Sequence, residues 1–222
     1  LLKYPARVVK NQYKSWRTAR YVSDRVKHED IDPATFDFIA FKLNVLSFLN
    51  SMKTDDSGLR YRYSANCSKP TLYSSVYACM TYSLLGETEK WSTETKASWA
   101  EFFDSFQRKD GLFYDPVVEN EIYFDSDWWG APHLALHIIN AYTCLGVQPK
   151  HPFTFLKKYY NLDFFYNELR ANEDMFEGGM ENDFDNKLMN IYSLLQYERD
   201  ARQNSQAGAS IRFLQEYLLD KL

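Results

Sequence analysis

The chain has 222 residues, of which 45% are hydrophobic and 25% are charged, and its formal net charge is −4. This balance argues against a nucleic-acid partner, because the surface that binds a phosphate backbone is basic. No run of roughly eighteen apolar residues occurs, so the sequence predicts no membrane span. No Gly-, Ser- or Pro-rich linker interrupts the chain, and we therefore expect a single domain over residues 1–222.

A short pattern recurs along the chain: a Phe, then an apolar residue, then an aromatic residue or Met four positions after the Phe. The four copies are Phe48–Met52, Phe102–Phe106, Phe155–Tyr159 and Phe213–Tyr217, and their leading residues are 54, 53 and 58 positions apart. A repeat of about 50 residues indicates an array of one supersecondary unit. In the last three copies charged residues lie among the apolar ones, and the pattern predicts one-sided outer helices.

The first two copies run into similar turns. Each continues into an Asp- or Ser-containing turn that ends at a glycine, Gly58 or Gly111, followed by Leu59 or Leu112. Glycine takes the left-handed conformation past a helix end without a Cβ penalty. We therefore expect positive φ at both glycines, with the following leucines packed against the outer helices.

Three further segments predict inner helices, over residues 70–85, 131–145 and 186–197. Each is apolar around most of its circumference and carries small residues, which is typical of a buried helix. The sequence thus predicts an all-α protein built from repeated α/α hairpins, each pairing a buried inner helix with an amphipathic outer one.

The segments that lead into these inner helices combine aromatic residues with carboxylate, amide and cationic groups, as a concave polar site requires. The candidate substrate-binding residues are Lys69, Asp125, Trp128, Trp129, Asn182, Asp183, Asn186 and Asn190. Helix capping is an alternative role for the Asp and Asn residues. It does not explain the two tryptophans, because a Trp ring is costly to expose unless something stacks on it.

His133 and His137 lie at positions i and i+4, and therefore share one face of a helix. Zinc sites use this spacing, but Leu134 stands where a His-Glu-x-x-His motif has its Glu, and a third ligand such as Asp127 would come from afar. We predict no metal and no cofactor. The imidazoles would instead form hydrogen bonds across a cavity or to a ligand, or be core histidines bonded to backbone. Together with Asp127 and Tyr73 they are the candidate catalytic residues.

The stretch Gln107-x-x-Asp110-Gly111-x-Phe113 closes an outer helix and precedes an inner one. It resembles the QW-type repeat of the terpenoid-cyclase and protein-prenyltransferase α/α toroids, and is similar to toroids that process polysaccharides. An aromatic replaces the usual Trp at Phe113. The resemblance implies that these repeat residues are structural, that the hairpins curve into a toroid or part of one, and that inner helices line a central funnel where ligands bind.

Flat aromatic faces with planar carboxylate, amide and guanidinium groups are what bind sugars, and the inner-helix entries carry both. We therefore expect recognition or processing of a carbohydrate polymer or glycoconjugate in the funnel. If the protein is an enzyme, paired carboxylates would act as acid and base in a hydrolase. Alternatively, His133 or Tyr73 would transfer protons in a lyase. The sequence leaves open whether it is an enzyme.

Two other functions are open. Asp125-Ser126-Asp127 is similar to the Asp-x-Asp-Asp acid of class II terpene cyclases, which implies protonation of an alkene in an aromatic cavity, although Trp128 replaces the last Asp. The second alternative is a non-catalytic helical-repeat protein that binds another protein.

The three cysteines lack metal-ligand spacing, and their odd number favours a reducing compartment such as the cytoplasm. The chain begins at Leu1 rather than Met and ends at Leu222, where another turn would be due. We expect a fragment of a longer protein, with a fused or partner domain and a glycan or other small-molecule or polymeric ligand as its partner.

Overall fold

The computed structural model describes residues 13, 16, 17, 20, 35–117, 130–172 and 183–220. The chain divides into two compact units, residues 1–43 and residues 44–222. The expectation of one domain over residues 1–222 stays a prediction.

The described residues form helices and turns, with isolated bridges between single residue pairs but no strand. The α-helices whose bounds the structure describes are α1 Phe38–Ser51, α2 Leu72–Leu84, α3 Thr93–Asp104, α4 Ala131–Leu145, α5 Leu162–Ala171, α6 Asp183–Asp200 and α7 Ser205–Leu219. Two 3₁₀ helices, Thr88–Lys90 and Thr154–Tyr160, stand before α3 and α5. The all-α prediction is confirmed. In the described part of the chain, no helix is long and apolar enough to cross a membrane.

The three predicted inner helices correspond to α2, α4 and α6. α4 packs against both α2 and α6, and α6 also packs against α7. α4 has its predicted bounds because Pro132 lies in its first turn and Gly146, with φ of 71°, ends it. α2 begins two residues later than predicted, since the Thr71 hydroxyl accepts a hydrogen bond from the backbone N–H of Ser74 and so caps the helix. α6 is longer than predicted at both ends.

The third copy of the Phe pattern is not part of an α-helix, and its assignment to an outer α-helix was wrong. Phe155 lies in a 3₁₀ helix, in which Leu156 and Tyr159 are buried at a spacing of three. A 3₁₀ helix has three residues per turn, so a short apolar pattern suits it as well as an α-helix. The α-helix of this repeat is α5, which begins after Asn161, whose side chain accepts from the Phe164 N–H.

The glycine turns are confirmed, with φ of 71° at Gly58 and 93° at Gly111. Leu112 is buried, and Leu59 packs against the core. The second turn is also tied to a distant part of the chain by Gln107. Its side-chain amide donates to the carbonyls of Gly111 and His151, both at 2.9 Å, and its oxygen accepts from the His151 N–H at 2.7 Å. These residues therefore join the turn after α3 to the segment after α4.

Candidate functional site

Two tyrosines and two histidines meet where α2 packs against α4. Tyr73 and Tyr77 are four residues apart on α2, and their rings lie 6.3 Å apart between centroids. His133 and His137 are four residues apart on α4, with ring centroids 4.6 Å apart. Each pair lies on one face of its helix, as i and i+4 positions must. The expectation that the two histidines point the same way is confirmed.

Close polar contacts link the four side chains in a row. The Tyr73 hydroxyl lies 2.7 Å from Nδ1 of His133, and Nε2 of His133 lies 3.3 Å from Nε2 of His137. Nδ1 of His137 lies 3.4 Å from the Tyr77 hydroxyl. We call this row the Tyr–His chain.

All the hydrogen bonds of the Tyr–His chain can form when both imidazoles are neutral, because a neutral imidazole has one N–H donor and one bare nitrogen acceptor. In one arrangement, Tyr73 donates to His133, His133 donates to His137, and the Nδ1–H of His137 donates to the Tyr77 oxygen. In the reverse arrangement, Tyr77 donates to His137 and every later bond points the other way. The geometry therefore accommodates two proton arrangements with the same heavy-atom positions.

The surroundings favour the neutral form of all four groups. Burial, and then the nearby His137, lower the pKa of His133 to about 4. Burial also lowers the pKa of His137. Burial shifts the pKa of a tyrosine in the opposite direction. It raises the pKa of Tyr73 well above its usual value, and the neighbouring Tyr77 and Asp115 raise it further. At neutral pH the imidazoles are thus uncharged and the Tyr73 phenol keeps its proton.

The Tyr–His chain extends from the core to the surface. His133 is 7% exposed and Tyr77 is 44% exposed. Its inner end is steadied by Asp115, a carboxylate that is only 2% exposed. Asp115 accepts from the backbone N–H of Leu72 at 2.7 Å and from that of Val117 at 3.0 Å. It thereby holds the first turn of α2, next to Tyr73.

Sequence reasoning missed Tyr77 and Asp115. Tyr77 had a detectable signal, since it follows the candidate Tyr73 by four residues in a predicted helix and shares its face. Asp115 had no sequence signal that pointed to a site, because its partner Leu72 is 43 residues away in sequence.

The remaining predicted site residues fall into three groups. Lys69 is exposed in the segment before α2, while on α6 Asn186 is partly buried and Asn190 is fully buried one turn later. Asp183 is the first residue of α6. Outside the described residues lie Asp125, Asp127, Trp128, Trp129 and Asn182. The structure thus brings together Tyr73, His133 and His137, and convergence of the other residues on the same cavity stays a prediction.

Comparison with protein-family models, with curated proteins and with solved structures finds no match for this chain. Among the residues that the structure describes, no group of three His, Cys, Asp or Glu side chains is placed to hold a metal ion.

Proposed function

We propose that α2, α4 and α6 are inner helices of an α/α toroid or of an arc of one, and that they line a funnel that binds a carbohydrate polymer or glycoconjugate. We further propose that the Tyr–His chain transfers protons in this funnel, and that the reaction is a lyase-type elimination on a uronate-containing glycan. The proposal rests on the hydrogen-bonded geometry of the Tyr–His chain, together with the resemblance of the Gln107–Phe113 turn to toroid repeats.

The composition of the Tyr–His chain favours elimination over hydrolysis. Glycoside hydrolysis generally uses two carboxyl groups that flank the scissile bond. Among the described residues, the carboxylate beside the Tyr–His chain is that of Asp115, and it accepts hydrogen bonds from the backbone N–H groups of Leu72 and Val117. Phenol and imidazole groups are instead suited to moving a proton between a substrate and the protein.

An elimination removes one proton and supplies another. The proton on the carbon next to the sugar carboxylate leaves, a C=C bond forms, and the C–O bond to the departing sugar breaks; that oxygen then takes up a proton. Tyr77 can serve both transfers: as its oxygen takes the substrate proton, its own proton passes to Nδ1 of His137, and as the C–O bond breaks a proton returns through Tyr77 to the departing oxygen. No imidazolium has to persist, which matters because burial disfavours the charged form of His133 and His137.

Tyr77 is the end of the Tyr–His chain that a polymer reaches most easily, because it is the most exposed of the four groups. Its ring also offers a flat face on which a sugar can stack. We therefore assign to Tyr77 the direct contact with substrate, and to His137 the role of exchanging protons with its hydroxyl.

The test compares two phenylalanine substitutions on one helix. Tyr77→Phe removes the hydroxyl at the exposed end of the Tyr–His chain and leaves the ring in place. Tyr82→Phe is the matched control, because its hydroxyl accepts from Tyr61 instead. The assay follows the ultraviolet absorbance of the unsaturated product from uronate-containing and neutral polysaccharides. We expect turnover of the uronate polymer alone, a loss of about a hundredfold or more in Tyr77→Phe, and near wild-type turnover in Tyr82→Phe.

Two results would overturn this assignment. Equal losses in the two variants would show that the Tyr77 hydroxyl has no special part. If no polysaccharide binds or is cleaved, and Tyr77→Phe changes nothing measurable, a protein-binding helical repeat becomes the better account.

A further inference from the structure

A cavity with a volume of about 690 Å³ lies beyond the C-terminal end of α4, next to the C-terminal end of α6. Its walls come from the 3₁₀ helix Thr154–Tyr160 and from the turn that joins α6 to α7. It shares no residue with the Tyr–His chain, whose two histidines lie in the first two turns of α4. The 15 residues of α4 span about 22 Å, so the two places are well separated.

The cavity walls are held by bonds between segments that are distant in sequence. Arg202 donates from Nη2 to the carbonyl of Pro149 at 2.6 Å, and Gln148 donates from its side chain to the carbonyl of Ala201 at 2.6 Å. The Glu198 carboxylate accepts from the backbone N–H of Phe153 at 3.1 Å. These bonds hold the segment after α4 against the C-terminal end of α6 and so fix the walls of the cavity.

The one carboxylate in the lining is largely satisfied by the protein. Glu198 is 3% exposed, and its Oε1 lies 3.4 Å from Nε of Arg202 as well as bonding to Phe153. A buried carboxylate paired in this way adds little net negative charge to its surroundings. The other charged group in the lining is Lys157, which is exposed and forms no ion pair with another described residue.

Several side-chain hydrogen-bond donors in this cavity have no acceptor among the described residues. The Tyr160 hydroxyl accepts from the Asn204 amide at 3.0 Å, but its own proton has no acceptor among the described residues. Burial, and then Glu198, raise the pKa of Tyr160 to about 12, so this proton stays in place at neutral pH. The side-chain amide N–H groups of Asn161 and Gln206 likewise donate to no other described residue.

We propose that this cavity binds a small hydroxylated molecule that carries an oxyanion, such as a sugar acid or a sugar phosphate. The Lys157 ammonium would pair with the oxyanion. The Tyr160 hydroxyl and the amides of Asn161 and Gln206 would donate to its oxygens. The volume lies within the range of small-molecule sites and suits a ligand of one or two sugar rings.

Binding is tested on the whole chain by isothermal titration calorimetry with three probes of similar size: glucuronate, glucose 6-phosphate and glucose. We expect one or both anions to bind and glucose to bind at least about tenfold more weakly, because it lacks the charged group. The two anionic probes show whether a carboxylate or a phosphate is the preferred oxyanion.

Two neighbouring lysines supply a matched pair of variants. Lys157→Gln removes the cation in the cavity, whereas Lys158→Gln removes an exposed cation that lies over the rings of Tyr159 and Phe164. We expect Lys157→Gln to weaken anion binding about five- to tenfold, with Lys158→Gln within twofold of wild type. Thermal unfolding of both variants shows that each is folded.

Tyr160→Phe tests the donor role separately, and we expect it to weaken anion binding about fivefold. The inference is overturned if neither anion binds, if glucose binds as tightly as the anions, or if Lys158→Gln weakens binding as much as Lys157→Gln. It stands or falls independently of the proposed elimination, because the loss of anion binding in Lys157→Gln, beyond the other end of α4, distinguishes this cavity from the Tyr–His chain.

Discussion

Two polar clusters of this protein differ in the kind of partner that they use. In the turn after α3, the Gln107 side chain bonds to backbone atoms of Gly111 and His151. In the Tyr–His chain, the bonds run from side chain to side chain, between α2 and α4. Bonds to backbone determine the path of the chain, whereas bonds between ionisable side chains let protons move without a change of path. The first cluster should therefore govern stability and the second should govern chemistry.

The largest effect on stability is expected at Gly111, in the first cluster. A Cβ at this position would overlap the carbonyl oxygen of Pro152 and approach Cα of Phe153 to 2.6 Å, in addition to the strain of a positive φ. We expect Gly111→Ala to lower the free energy of unfolding by about 2–4 kcal/mol, measured by urea denaturation.

Gly58→Ala is the control, because Gly58 also has a positive φ but its Cβ would meet only the Lys53 ammonium at 4.0 Å. We expect a loss of about 1 kcal/mol from backbone strain alone. Equal losses at the two glycines would show that the contact with residues 152 and 153 has no energetic weight.

The second prediction concerns acid and His133. Its folded-state pKa, about 4, lies below the ordinary value of about 6.5, so the unfolded chain binds the proton more readily. The stability that neutral His133 contributes is therefore complete above about pH 6.5 and is lost as the pH falls towards 4. We expect wild type to lose roughly 2 kcal/mol more than His133→Gln between pH 7 and pH 4, measured by urea denaturation at each pH. Parallel pH profiles would contradict the assignment.

Gln107→Ala tests the bonds to backbone in the first cluster. It removes the partner of the buried or half-buried backbone groups of His151 and Gly111, and we expect a loss of about 1–2 kcal/mol by urea denaturation. Gln215→Ala is the control, because Gln215 is exposed on α7 and donates only to the Tyr192 hydroxyl. If the two variants were equally stable, the Gln107 bonds would not be what holds the turn to the segment after α4.

The smallest effect on stability is expected for Tyr77→Phe in the second cluster. The side chain is 44% exposed and its bond to His137 is long, at 3.4 Å, so we expect a change within about 0.5 kcal/mol in the free energy of unfolding. A large loss of stability would place Tyr77 with the structural residues and remove the contrast between the two clusters.

Local signals in the sequence were enough for much of the fold. The bounds of α4 follow from Pro132 and Gly146, and the two helix-ending turns follow from Gly58 and Gly111. The prediction of an α-helix at Phe155 was wrong because a short apolar pattern with a spacing of three or four fits a 3₁₀ helix as well as an α-helix. The structure decided the matter by burying Leu156 and Tyr159 on one side of a 3₁₀ helix.

Of the candidate site, the sequence by itself determined that His133 and His137 share a face, because helical spacing alone requires it. Only the tertiary structure decided that this face meets Tyr73 and Tyr77 across the contact of α2 with α4. It also decided that Gly111 lies against Pro152, and that the segments after α4 and α6 enclose a cavity. The physical reason is that periodicity and capping act within a few residues, whereas the meeting of two faces depends on how helices about 60 residues apart in sequence pack together.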